Sequence, residues 1–173
     1  TSPCGKVSAG ESVPAYKEHG YAGIVVTDHY FRGYFDSLPD SLSWKEKIAC
    51  WKRGYDAARK AGEACGMTVL LGMEFRFDRN ANDYLVYGIT VPMLEENPDM
   101  FAWTEEAFSR FCRAQGCFFA QAHPFRPHMT RCAAALLDGV EVFNGNRRHD
   151  SHNALAADFA DKGQLHQLAG SDF

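Results

Sequence analysis

Nowhere in the chain do apolar residues run together for the roughly 18 positions that an α-helix needs to cross a bilayer, so the sequence predicts no membrane span. The stretch TSPCGKVSAG at its start has neither the basic segment nor the apolar core of a secretory signal, and the cytoplasm is the expected compartment. Positive charge is not in excess either: 18 Lys and Arg stand against 22 Asp and Glu, a formal net charge of -4. That balance excludes a general affinity for nucleic-acid backbones or anionic membranes and leaves room only for a local basic pocket. Nucleic acid enters only as a substrate, and nothing in the sequence specifies an oligomer. No Cys-x-x-Cys pair occurs among the six cysteines (Cys4, Cys50, Cys65, Cys112, Cys117 and Cys132). Most of them stand in apolar or helical surroundings and read as reduced, buried small hydrophobes. Repeats, low-complexity runs and a Pro/Gly/Ser linker are missing as well, so residues 1–173 read as one domain.

What is present is a chain with 46% hydrophobic residues, enough to bury a sizeable core. Apolar runs alternate with helical periodicity. GIVVTDH, MTVLLGMEF, DYLVYGI, CFFAQAH, GVEVFNG and LHQLAGSDF read as strands. Between them GESVPAYKEHG, SWKEKIACWKRGYDAARKAGEACG, TEEAFSRFCRAQG, TRCAAALLDG and SHNALAADFADKG read as helices. This alternation predicts an α/β fold with a mostly parallel sheet, either an open doubly wound sheet or a closed barrel. The Gly-x-Gly-x-x-Gly turn and the P-loop that mark nucleotide-binding open sheets are both lacking.

In parallel α/β folds reactive side chains gather at the carboxyl ends of the strands. Those ends carry Asp28 and His29, Glu74, His123, Asn144 and Asp172. A carboxylate next to VLLGM costs several kcal/mol in an apolar setting unless a cation meets it. Two imidazoles and two carboxylates suit zinc, manganese or iron, with one carboxylate able to bridge two ions and Asp28 able to orient a ligand or water. Pro124 ends its strand and leaves the His123 imidazole at the tip.

TDHY, GMEF, AHPF, EVFNG and GSDF, in this order over nearly the whole chain, resemble the PHP (polymerase and histidinol phosphatase) superfamily of metal-dependent phosphoesterases. The resemblance implies a distorted (β/α)7 TIM-like barrel holding two or three divalent metal ions that hydrolyse phosphoesters. It implies His29, Glu74, His123 and Asp172 as metal ligands, Asp28, Glu74 and His123 as catalytic residues, and Asn144 as a polar residue at the site. The family's opening His-x-His and final Asp-x-His are not in this chain, which therefore reads as a domain clipped at both ends. A further family histidine after the glutamate is also missing, with Asp83 the nearest candidate in its place.

Arg126, three residues after His123, and the Arg147 and Arg148 pair are candidates for binding a phosphoryl group. His128 and His152 stand in loops within reach of such a cluster. YFRGYFDSLPD, running from Tyr30 to Asp40, reads either as a lid or as a capped hydrophobic patch. The expected activity is hydrolysis of a small phosphorylated substrate by metal-activated water. A non-catalytic binding module and an amidohydrolase on a related barrel are the alternatives, and no Gly-x-Ser-x-Gly elbow supports a covalent serine route.

Overall fold

The computed structural model describes residues 7–172. In chain order, helix α1 (Ala9–Glu18) precedes strands β1 (Gly23–Val26) and β2 (His29–Tyr30). Helices α2 (Arg32–Asp36), α3 (Trp44–Trp51) and α4 (Arg53–Cys65) lead to β3 (Thr68–Phe75) and β4 (Tyr84–Tyr87). Then come α5 (Val91–Glu96), α6 (Glu105–Gln115), β5 (Phe118–Gln121), β6 (Gly139–Asn144), α7 (Asn153–Gly163) and β7 (His166–Gly170).

The strands form one curled sheet in the order β1-β3-β4-β5-β6-β7, with β2 paired to β3 beyond the end of β1. The expected parallel barrel is corrected in two respects. First, β4 runs antiparallel to both β3 and β5, while the other pairings are parallel. The segment between β3 and β4, residues 76–83, is too short for a crossover of about a dozen residues and turns the chain back on itself. Second, among the described residues β1 and β7 do not pair with each other, so the sheet is an open half-barrel.

Side-chain alternation divides this sheet into two faces. Val69, Leu71, Met73 and Phe75 of β3 pack against the helices. Gly72 and Glu74 point to the opposite, concave side. The helix side is filled by aromatic rings: Phe75 stacks on Phe108 at 4.6 Å and on Phe101 at 5.8 Å, and Tyr30 stacks on Phe101 at 5.1 Å. The TRCAAALLDG segment is not a helix but an extended stretch with one 3-10 turn at Ala134–Leu136. Its backbone is claimed from outside: the buried Gln121 amide donates to the Thr130 carbonyl at 2.6 Å and accepts from Cys132 N–H at 2.9 Å. These tertiary bonds override the helix propensity of its alanines. The predicted long helix is divided at Lys52 into α3 and α4, and α2 and α5 are short helices that periodicity did not disclose.

Cys4 lies outside the described residues. The other five cysteines are free, and burial pushes the Cys132 thiol up to about 12. No helix among the described residues is long and apolar enough to cross a membrane.

One glycine fixes how closely α4 approaches the sheet. A Cβ at Gly62 would stand 2.6 Å from the Met67 carbonyl oxygen and 2.6 Å from Val69 Cγ2. Alanine favours a helix interior by about 1 kcal/mol over glycine, whereas overpacking costs about 1–3 kcal/mol. The difference is about 0–2 kcal/mol. Because one of the two clashes is with backbone, which cannot move aside cheaply, Gly62→Ala is expected to destabilise the protein by about 1–2 kcal/mol, the upper part of that range. Urea unfolding checks this, and a variant at least as stable as the wild type would refute it.

Candidate metal centre

Strand pairing assembles the site. The parallel register sets His29 of β2 directly beside Glu74 of β3. His29 is anchored by the Trp51 indole N–H, which donates to its carbonyl oxygen at 3.0 Å. Because β4 is antiparallel, its N-terminal end lies at the same edge of the sheet as the carboxyl ends of β3 and β5. Asp83, just before β4, thereby joins the cluster, and its carbonyl oxygen accepts from Ala122 N–H at 3.0 Å, leading directly to His123.

The side chains of these residues lie close together. His29 Nδ1 lies 3.1 Å from Glu74 Oε2, and His123 Nε2 lies 3.2 Å from Glu74 Oε1 and 3.8 Å from Asp83 Oδ2. Atoms bound to one ion at about 2.0–2.2 Å stand roughly 3–4 Å apart. Donor atoms of His29, Glu74 and Asp83 all fall within 4.8 Å of one another. The other ring nitrogen of His123, Nδ1, points away from this group and is buried with no hydrogen-bond partner among the described residues. Two neutral imidazoles and two carboxylates suit a divalent cation by charge and donor type. One contact opposes it: Arg76 grips Asp83 with Nε and Nη2 at 2.7 and 2.8 Å.

A second group adjoins the first. Glu141, 4% exposed, accepts from the His123 backbone N–H and from the Asn144 side-chain amide, both at 3.0 Å. Asn144 also donates to Asp172 at 3.3 Å, as does Asn146. Arg126 donates to Asp172 at 2.6 Å and to Ser151 Oγ at 3.2 Å. A bulge between Glu141 and Phe143 makes this possible. Simple alternation would place Glu141 and Phe143 on one face; the extra residue turns Phe143 out, 56% exposed, and brings Asn144 in beside Glu141. Gly170 completes the fit, since a Cβ there would collide with the Glu141 carboxylate.

His123 and Asp172 both have left-handed backbones, with φ of 32° and 50°. Such conformations are uncommon for residues other than glycine, and held strain of this kind concentrates at functional sites.

The structure thus brings together His29, Glu74 and His123, and links them through Glu141 to Asn144, Asp172 and Arg126. Asp28 is buried at the same strand end, and its carbonyl oxygen accepts from Glu74 N–H at 3.1 Å. Arg147 and Arg148 are exposed, and Arg148 Nε bonds Asn146 Oδ1 at 3.1 Å. His128 and His152 are exposed, and His152 pairs with Asp150 at 3.3 Å. The stretch from Tyr30 to Asp40 is no free lid, since Tyr30 and Phe35 are buried in the aromatic core. Glu141, Asn146 and Arg76 were not singled out from the sequence. Glu141 carried a readable signal, a lone acid inside the apolar run GVEVF.

The charges here make the site sensitive to pH. Burial pushes His123 down, but the hydrogen bond and charge of Glu74, with the charge of Glu141, outweigh it and raise its pKa. Burial likewise raises Glu141 against its hydrogen bonds. Burial works against the charge of Asp172 too, yet Arg126, Asn146 and His123 hold that carboxyl below the usual range. A raised pKa stabilises the fold below the ordinary value and ceases to do so as pH rises through the folded value. His123 and Glu141 both act in this direction, whereas Asp172 stabilises above its ordinary range and loses its effect only in acid. The metal-free protein is therefore expected to melt at lower temperature as pH rises from about 6 to about 8. Affinity for a divalent cation should rise over the same interval, because protons and the cation compete for His123. Melting curves in chelator and in added zinc check both trends, and a metal-free melting temperature that climbs through neutrality would refute the assignment.

No protein-family model and no curated protein matches the sequence. Solved structures do match. A two-domain protein from Bacteroides vulgatus containing a predicted PHP-like metal-dependent phosphoesterase superposes with a TM-score of 0.67 at 19% identity, over 98% of this chain and 48% of that one. A second predicted metal-dependent phosphoesterase, from Bifidobacterium adolescentis, gives 0.60 at 16% identity, over 99% and 84%. An amidohydrolase from Chromobacterium violaceum, solved with sulfate and without metal, gives 0.65 at 17% identity, over 98% and 83%. The chain spans about half the length of the first of these. At such identities the likeness is one of fold, and the chain has a PHP-type fold in an open, mixed-sheet form.

Proposed function

We propose that the chain is the metal-binding part of a hydrolase that cleaves a small phosphoester, using two or three divalent ions such as zinc, manganese or iron. The observation that carries this reading is the convergence of His29, Glu74 and Asp83, whose donor atoms lie within 4.8 Å of one another, with His123 Nε2 3.2 Å from Glu74 and 3.8 Å from Asp83. The solved structures of the same fold that are described as predicted metal-dependent phosphoesterases support it.

His29, Glu74, Asp83 and His123 would hold the first ion, and Asp172 would serve a neighbouring one. A bound divalent cation supplies a more acidic water and charge for the phosphoryl oxygens. The rest falls to the chain's own side chains. Glu74 spans both imidazoles and keeps them turned toward one point. Glu141 fixes the His123 backbone through its N–H, which sets the direction of the ring. Arg126, held on Asp172 and Ser151, brings positive charge to the β7 end of the network, where it can meet a phosphoryl oxygen. Asp28, buried at the end of the strand that carries His29, would orient a ligand or water, and Asn144 would hold Asp172 in place.

The test is elemental analysis of the purified protein, followed by hydrolysis assays on phosphomonoesters, phosphodiesters, a carboxylic ester and an amide. Bound divalent metal with turnover of phosphoesters alone is expected. Turnover of the amide alone would replace this reading with the amidohydrolase one, and absence of both metal and turnover would favour a binding module.

A further inference from the structure

Next to the cluster lies a cleft of about 490 Å³, lined among others by Phe31, Arg32, Arg76, Asp78, Arg79 and Asn80. Three arginines face one aspartate there, in a chain whose net charge is -4.

Arg76 belongs to both places. Its Nε and Nη2 hold Asp83 of the cluster, while its guanidinium lies 5.9 Å from the centre of the Phe31 ring. Phe31 in turn meets His29 edge-on, with ring centres 6.1 Å apart. The ring thus forms a wall shared by cluster and cleft. Arg32 is held in a similar way: Nε and Nη2 grip Asp78 at 2.8–3.0 Å, and its guanidinium lies 5.3 Å from the Phe101 ring centre. Each carboxylate engages Nε and one terminal nitrogen, leaving the other terminal nitrogen to a further partner. Arg79 is exposed, and no ion pair fixes it among the described residues.

The walls of the cleft are pinned. Asp78 N–H donates to the Phe101 carbonyl oxygen at 2.9 Å, and Asn80 donates to Glu105 at 3.2 Å. Arginines already ordered by carboxylates and rings lose little freedom when an anion arrives.

We propose that this cleft binds a second anionic group, a phosphate or a carboxylate, of the substrate whose phosphoester is cleaved at the cluster. The proposal rests on the hydrolase reading above and narrows its substrate class to doubly anionic phosphoesters. Arg32, Arg76 and Arg79 supply the positive charge, and Phe31 sets the boundary between the two ends of the substrate.

The experiment has two arms. In the first, the metal-free protein is titrated calorimetrically with propane-1,3-diyl bisphosphate. Arg79→Glu is expected to weaken binding about tenfold or more, because an attractive charge becomes a repulsive one. Lys60→Glu, the same charge change on α4 outside the cleft, serves as control and is expected to change affinity less than about twofold. Equal affinities of wild type and Arg79→Glu, or an equally large effect of Lys60→Glu, would overturn the proposal. In the second arm, the metal-loaded protein hydrolyses propyl phosphate, the bisphosphate and 3-(phosphonooxy)propanoate. KM for propyl phosphate should exceed that for at least one doubly anionic ester by about tenfold, with the two such esters telling phosphate from carboxylate, and the ratio should collapse in Arg79→Glu. If no ester is turned over while the calorimetric pattern holds, the hydrolase reading fails and the anion site stands. If propyl phosphate is hydrolysed with the same KM as both doubly anionic esters, the cleft proposal fails and the hydrolase reading stands.

Discussion

Glu74→Gln is expected to abolish metal retention and phosphoester hydrolysis together while leaving the fold intact. Glutamine keeps the shape of the side chain but removes the negative charge that faces both His29 and His123, at 3.1 and 3.2 Å. Loss of an outer partner of a ligand typically costs about 10- to 100-fold in metal affinity, so loss of a central carboxylate should cost at least about 100-fold. The metal-free protein should also become less stable, by about 1–3 kcal/mol, because two charge-assisted contacts are weakened. That loss should be largest below the raised pKa of His123, where the imidazole is protonated and the pair is ionic. Metal analysis, melting curves at two pH values and the ester assay decide the matter. Full metal content with full activity in Glu74→Gln would show that the centre has been placed wrongly.

Arg76→Met should act in opposite directions on the two states of the protein. Asp83 is 3% exposed, and its carboxylate meets the Arg76 guanidinium and, at 3.8 Å, His123. Removing one partner of a buried ion pair leaves an uncompensated charge, at a cost of about 3–5 kcal/mol for a fully buried pair. Arg76 is itself partly exposed, with 40% of its side chain accessible, so water screens part of this and about 2–4 kcal/mol is expected. For a domain of this size each kcal/mol corresponds to roughly 2–4 °C in melting temperature, so the metal-free variant should melt about 5–15 °C lower. A divalent cation should then restore stability more strongly than in the wild type, because Asp83 no longer has to exchange a guanidinium for the ion. Thermal melting with chelator and over a zinc titration tests this. An unchanged metal-free melting temperature, or a smaller rise on adding zinc than the wild type shows, would sink it.

Much of this protein could be read directly from the residues, and the limits of that reading follow from physics. Continuous apolar runs such as TVLLGMEF and CFFAQAH mark strands of a largely covered sheet, so β3 and β5 and the polar residues at their ends were legible, although Leu70 on the first half of β3 is 55% exposed. Helix boundaries were legible where capping chemistry is local: Ser43 accepts from Glu46 N–H at 3.4 Å, Thr104 accepts from Ala107 N–H at 3.2 Å, and Gly66 and Gly116 close α4 and α6 in left-handed conformations. His29, Glu74 and His123 were legible as a group because a parallel arrangement sends strand ends to one edge. Asp172 and Arg126 were also visible, but not that they would face each other. What the sequence alone could not decide was anything set by pairing direction or register. The family resemblance offered Asp83 as a candidate, but only the antiparallel course of β4 brings the start of that strand, and with it Asp83, to the edge where the parallel strands end. The bulge in β6 is a single-residue offset, invisible to a pattern of period two, yet it determines that Asn144 rather than Phe143 joins Glu141. The segment after His123 has helical composition, but Gln121 takes up its backbone groups across the sheet. Composition and local capping act over a few residues and are written in the chain; register, strand direction and long-range hydrogen bonds are settled only when distant segments compete for the same partners, and that competition takes place in the folded molecule.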